Sequence, residues 1–135
     1  MEYITHSRAE TVALGEKMAA VLPAGSLVAF TGGLGAGKTA FCEGLAKGLG
    51  CLDPVSSPTF ALVHDYGGQP PLVHFDMYRI SGWEDLYTTG FFDYLDQGAI
   101  LAVEWSEHIE NALPDDTIRV QIEALGEHDR RITIE

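Results

Sequence analysis

The chain has 135 residues, with 20 Asp and Glu against 8 Lys and Arg, a formal charge of −12 with histidine neutral. Phosphate backbones are held by Lys and Arg that neutralise them, yet the stretch from Ile80 to Ile118 carries nine acidic residues and neither Lys nor Arg. General nucleic-acid binding is thereby excluded, so any RNA must be held by a partner, and the 46% apolar content excludes a disordered acidic tail at a length that suits one domain.

In chain order, Met1-Glu2-Tyr3-Ile4-Thr5-His6 is a short apolar start without the basic residues and apolar stretch of a signal peptide. No later run approaches the roughly 18 apolar residues of a membrane span, so a cytoplasmic protein without membrane contact is expected. Ser7-Arg8-Ala9-Glu10 has capping-box spacing and predicts a helix start. Leu14, Met18, Val21 and Leu22 then predict a buried stripe, ended by Pro23-Ala24-Gly25. Ser26 to Thr31 reads as a buried parallel strand that leads through a glycine-rich turn into a helix over Lys38 to Leu49, with Gly50 as its cap. Cys42 and Cys51 form no C-x-x-C pair and are expected to be free thiols. Phe60 to Tyr66 and Leu72 to Tyr78 flank Gly67-Gly68-Gln69-Pro70-Pro71, a connector short enough to make them antiparallel in a mixed sheet. Ser81-Gly82-Trp83-Glu84 starts a short helical region, Ala99 to Val103 is a further buried strand, and Ser106 to Leu113 a short helix. Ile118, Val120 and Ile122, the turn Gly126-Glu127-His128-Asp129, and Ile132 with Ile134 predict a closing hairpin. The expected architecture is α/β, a single domain with a mixed central sheet flanked by helices.

Gly32-Gly33-Leu34-Gly35-Ala36-Gly37-Lys38-Thr39 matches G-x-x-x-x-G-K-[ST] in full. Glycines at that spacing let successive backbone N–H groups turn onto phosphates, the lysine reaches the β and γ oxygens, and the threonine hydroxyl ligates Mg²⁺. The following helix, with Ala40 in its first turn, adds its dipole. Gly32 to Ala40 are thus the nucleotide-binding candidates. Guanine-specific relatives of this loop read the base with an N/T-K-x-D segment, which is missing here, so ATP is favoured over GTP. Asp65-Tyr66-Gly67-Gly68 fits D-x-x-G, but lies between two expected strands and reads as turn chemistry.

Two acids follow apolar strands, where the ends of parallel strands form a ligand crevice: Asp76 after Leu72-Val73-His74-Phe75, and Glu104 after Ile100-Leu101-Ala102-Val103. Glu104 suits Mg²⁺, directly or through water. Asp76 suits a water-mediated magnesium contact or the positioning of an attacking water. His74, two residues before Asp76, reads as a structural histidine for want of a third metal ligand in register. Trp105 is either core or an aromatic at the mouth of the site. Arg79 orients a carboxylate or phosphate, or pairs with the surrounding acids. The loop Val55 to Phe60 occupies the place where phosphate-sensing switches present a Ser or Thr, though an ordinary turn fits its spacing equally.

Together the Gly-Leu-Gly-Ala-Gly-Lys-Thr loop, Ser57-Pro58-Thr59-Phe60, His74-Phe75-Asp76-Met77-Tyr78-Arg79 and Val103-Glu104-Trp105-Ser106-Glu107 resemble the bacterial TsaE (YjeE) family over nearly the whole chain. The resemblance implies a single P-loop ATPase domain. Its members serve formation of N6-threonylcarbamoyladenosine in tRNA as weak ATPases associated, in a TsaBDE-type complex, with the TsaD and TsaB proteins, which perform the transfer. It places Gly35 to Thr39 on the phosphates, Thr39 and Glu104 on the magnesium, and Lys38, Thr59, Asp76 and Glu104 in the catalytic and switch surroundings. It sets Trp105 at the nucleotide and partner side, and makes Ser7 and Arg130 candidates near the adenine. Gly33 stands where family members commonly have Asp, and the sequence given ends directly after the closing hairpin.

Two other functions fit a phosphate-binding loop. A small-molecule kinase gathers Arg and Lys in a lid over the phosphates, which the stretch from Ile80 to Ile118 does not supply. A nucleotide-gated scaffold without hydrolysis has the same motifs as an ATPase. Either way, the acidic surface is expected to dock on a basic patch of a partner protein. Complex formation measured from about 50 to 500 mM salt should weaken as salt rises; salt-independent binding would refute the electrostatic contact.

Overall fold

The computed structural model describes residues 1–32, 37–51, 63–68, 70–76, 83–104 and 113–135. Seven strands form one mixed sheet: β1 (Glu2–Thr5), β2 (Leu27–Thr31), β3 (Val63–Asp65), β4 (Leu72–Asp76), β5 (Ile100–Glu104), β6 (Ile118–Ala124) and β7 (Arg130–Ile134). Four helices accompany them: α1 (Arg8–Ala19), α2 (Lys38–Gly48), α3 (Trp83–Thr88) and α4 (Phe91–Asp96). The strand order is β1-β7-β6-β2-β5-β4-β3. β2 runs parallel to β5 and β6, and β4 parallel to β5, while β3, β7 and β1 are added antiparallel at the two sides.

The central strands are buried on both faces, which is why they read as unbroken apolar runs. Successive side chains along β2 enter different cores: Val28 and Phe30 pack with Met18 of α1 and Phe41, Leu45 and Ala46 of α2, whereas Leu27 and Ala29 pack with Leu86 of α3 and Phe91 of α4. The expected strand before the glycine-rich turn, the helix after it, the antiparallel β3–β4 pair, the buried strand β5 and the closing hairpin are all present. The helical region after Trp83 is two helices separated at Thr89 and Gly90. The helix expected over Ser106 to Leu113 lies, but for Leu113, outside the described residues.

One expectation is extended and one is corrected. The short apolar start is an edge strand, with Glu2 to Thr5 paired to Thr133 to Arg130. The buried stripe of α1 is also different: Thr11, Gly15, Met18 and Ala19 are its buried residues, Leu14 and Leu22 only flank the core, and Val21 is 78% exposed. The period is that expected, but the face is turned by three positions, roughly 60° around the helix. The cause is a close helix crossing. A Cβ on Gly44 would strike the Val12 carbonyl oxygen, one on Gly15 the Phe41 carbonyl oxygen, and one on Gly48 would come within 2.6 Å of the Ala19 Cβ. Small residues, not the largest apolar ones, therefore face α2.

Gly44→Ala should force the two helices apart, and overpacking outweighs the gain in helix propensity, for a net loss of about 1–3 kcal/mol. Thermal unfolding of that variant should fall several degrees below wild type, whereas Gly126→Ala, with open space around it, should change it little.

Candidate functional site

α1 and α2 begin in different ways, and the difference marks the site. At α1 the Glu10 N–H donates to Ser7 Oγ (3.1 Å) and the His6 N–H donates to Glu10 Oε1 (3.0 Å), a capping box whose return bond reaches one residue beyond the cap. At α2 the cap is Gly37, whose backbone at φ +111° is a conformation that side chains resist; it gives no side-chain cap, and the first turn holds no acid. Among the described residues no side chain therefore caps the N–H groups and positive dipole end of α2, as anion binding requires.

Lys38 opens α2, and its ammonium donates to the Gly32 carbonyl (3.2 Å) and lies 3.5 Å from Glu104 Oε1. The register explains the meeting: Phe30 of β2 and Asp76 of β4 are both Cα partners of Glu104 on β5, so the three strands end level where the chain leaves for α2. Glu104 Oε2 is bonded on its other side to His74 Nε2 (3.1 Å). The Glu104 side chain is only 12% exposed. Burial alone would push its carboxyl up, but the hydrogen bond to His74 and the charge of the Lys38 ammonium prevail and hold it below the ordinary glutamate value, ionised at neutral pH.

The other rim of α2 is made by distant parts of the chain. Thr11 Cγ2, Ile122 Cγ2 and Arg130 Nε all lie within 4 Å of the point where a Cβ on Gly37 would stand. Arg130 Nη1 also donates to the Asp129 and Gly126 carbonyls at 2.8 and 2.9 Å, which anchors it to the hairpin turn. That turn is tied to the start of α1 by His6 Nδ1 and Asp129 Oδ1, 3.0 Å apart.

Among the residues expected at the site, the structure gathers Gly32, Gly37, Lys38 and Glu104, with Arg130 at the border. Thr39 follows Lys38 in the first turn of α2, and Ala40 is buried behind it. Ser7 is near through Thr11, whose hydroxyl donates to the Ser7 carbonyl (3.3 Å), but its own hydroxyl caps α1. Asp76 is placed by register beside Glu104. Gly33, Leu34, Gly35, Ala36, Thr59, Arg79 and Trp105 lie outside the described residues. His74, expected to be structural, touches Glu104. The signal for it was the pairing of β4 with β5, which no local pattern encodes. Cys42 is buried, and burial with the nearby Glu104 charge pushes its thiol up, so it stays an unreactive thiol.

The model of the family described as threonylcarbamoyl adenosine biosynthesis protein TsaE matches residues 5–132. The chain belongs to the TsaE family. It is 34% identical over 134 residues to the tRNA threonylcarbamoyladenosine biosynthesis protein TsaE of Treponema pallidum, with 99% of each chain covered. The protein of the same name from Streptomyces coelicolor is 42% identical over 118 residues, 84% of this chain and 80% of that one. A crystal structure of Bacillus subtilis YdiB superposes with a TM-score of 0.80 at 32% identity, over 99% of this chain and 83% of that one. The TsaE resemblance and the mixed α/β fold expected from the sequence are therefore both established. No helix among the described residues is long and apolar enough to cross a membrane.

Because the folded state lowers the Glu104 pKa, this carboxylate stabilises the protein fully above about pH 5, and the contribution disappears as pH falls through the folded-state value. The difference in thermal stability between wild type and Glu104→Gln should accordingly be constant from pH 7 to 5 and shrink between pH 5 and 3. A difference that persists unchanged at pH 3 would contradict the lowered value.

Proposed function

We propose that this chain is a Mg²⁺-dependent ATPase subunit that supports a TsaD–TsaB complex in forming N6-threonylcarbamoyladenosine in tRNA, and that it does not itself transfer the threonylcarbamoyl group. Family membership supports the pathway. The observation that carries the chemistry is the Lys38 ammonium held against the Glu104 carboxylate at the uncapped start of α2. In a chain of net charge −12, an anion is favoured at this point by the Lys38 ammonium and the helix dipole, whatever the sign of the whole surface.

The residues have separate tasks. Lys38 exchanges its carboxylate partner for the phosphates of ATP, and the glycine-rich motif from Gly32 to Gly37 is assigned to their contact. Arg130 and the first turn of α1 border the nucleotide on the hairpin side. The donors fit magnesium: an ionised carboxylate from Glu104 and the Thr39 hydroxyl are hard oxygens, and Mg²⁺ in nucleotide sites takes one or two protein ligands, not a full protein cage. When bound, that ion neutralises charge on the phosphate oxygens. Asp76, level with Glu104, is assigned to the attacking water or a water-mediated contact to the ion. tRNA is reached through the partner proteins, with no membrane involved.

ATP hydrolysis measured with and without the cognate TsaB and TsaD proteins tests the proposal. Hydrolysis should be slow alone and rise in the complex, and Lys38→Ala should reduce it by about 100-fold. No complex and no stimulation, or full activity in Lys38→Ala, would overturn it.

A further inference from the structure

We propose that His74 is the positioning residue that makes Glu104 a one-oxygen ligand, fixing Oε2 so that Oε1 alone exchanges between Lys38 and a divalent cation. The inference rests on the ATPase reading for its cation, but its geometry stands without one.

His74 is 2% exposed, and its Nε2 is 3.1 Å from Glu104 Oε2. Its Nδ1 is buried without a hydrogen-bond partner among the described residues. A neutral imidazole carries one N–H, and burying that N–H unpaired costs more than burying a bare lone pair. The proton therefore belongs on Nε2, donated to the carboxylate. The register makes the contact possible: His74 is the Cα partner of Ala102, so its ring reaches over a single methyl to Glu104, two residues further along β5. The ring is backed by Tyr66, whose centroid is 6.4 Å away, and Tyr66 is in turn stacked on His64 at 4.0 Å. A buried, backed ring cannot follow the carboxylate if it turns. Glu104 thus keeps one oxygen committed, while the other already has a labile cationic partner, Lys38 at 3.5 Å. Glu104 Oε1 would be the oxygen left to hold a divalent cation once phosphate drew the lysine away. Without His74 the carboxylate is free to turn, so neither oxygen is held in place toward the cation. Partners of this kind, which orient a ligand without touching the metal, typically govern affinity by about 10–100-fold.

Two measurements test this. In nucleotide-free wild type at pH 8, ¹⁵N NMR of the histidine side chains should show His74 as the Nε2–H tautomer, protected from solvent exchange. An Nδ1–H tautomer would overturn the proposal, whatever the protein does with nucleotide. In the second, Mg²⁺ is titrated by calorimetry into protein saturated with a non-hydrolysable ATP analogue. His74→Leu should raise the half-saturating Mg²⁺ about tenfold while magnesium-free analogue affinity stays within about twofold, and His74→Gln, which restores an N–H near the Nε2 position, should recover most of the loss. Wild-type Mg²⁺ affinity in His74→Leu, or an equal loss in both variants, would refute positioning. Absence of magnesium-dependent binding in the wild type itself would instead refute the ATPase reading and leave the tautomer to decide the role of His74.

Discussion

Three parallel strands stop at one level, and the chemistry at their ends follows from that alignment. Phe30, Glu104 and Asp76 are neighbours across β2, β5 and β4, so the chain turns from β2 into α2 just where β5 presents its carboxylate. A slip of β5 by one residue would send Glu104 to the opposite face of the sheet. A slip by two would carry it about 7 Å along the strand, out of reach of both Lys38 and His74. The side chain is only 12% exposed, so losing a partner costs more there than on the open surface, which ties the register of the sheet to the electrostatics of the site.

The parts legible in the sequence are those whose signal is local. β2 and β5 are short apolar runs because both of their faces are covered, the phosphate-binding motif lies between β2 and α2 as such motifs require, and the hairpin alternates because one face is wet. Asp65-Tyr66-Gly67-Gly68 is turn chemistry, as its position between strands suggested: the Gly67 N–H donates to Asp65 Oδ1 at 2.9 Å. Glu104 was legible as an acid that ends a buried strand. What could not be read depends on residues distant in sequence. β1 exists because β7 pairs with it, the partner of His74 is set by strand register, and the face that α1 buries is selected by Gly15 meeting Phe41 and Gly44 meeting Val12. A hydrophobic stripe reports which residues prefer to leave water, but the glycines determine how near another helix can come. Thr59 and Trp105 rest on family resemblance.

An acidic protein with a lysine at an uncapped helix start separates two uses of charge. Field at the site comes from Lys38 and the backbone dipoles of α2, over distances shorter than the screening length of the solution. The acidic excess is spread over the surface, with a long stretch free of Lys and Arg, and governs encounters with other macromolecules. On the proposed reading, a nucleotide and a basic protein surface are attracted by different groups of the same molecule.

The border of Gly37 is assembled from Thr11, Ile122 and Arg130, and the strand that leads into α1 is held by residues 130–133. This is among the longest loop closures the chain can make, and such contacts form slowly compared with helices and tight turns. During synthesis the motif and α2 emerge well before the hairpin that borders them. A ribosome-bound chain that already displays Lys38 consequently lacks the rim beside Gly37 until the hairpin has followed.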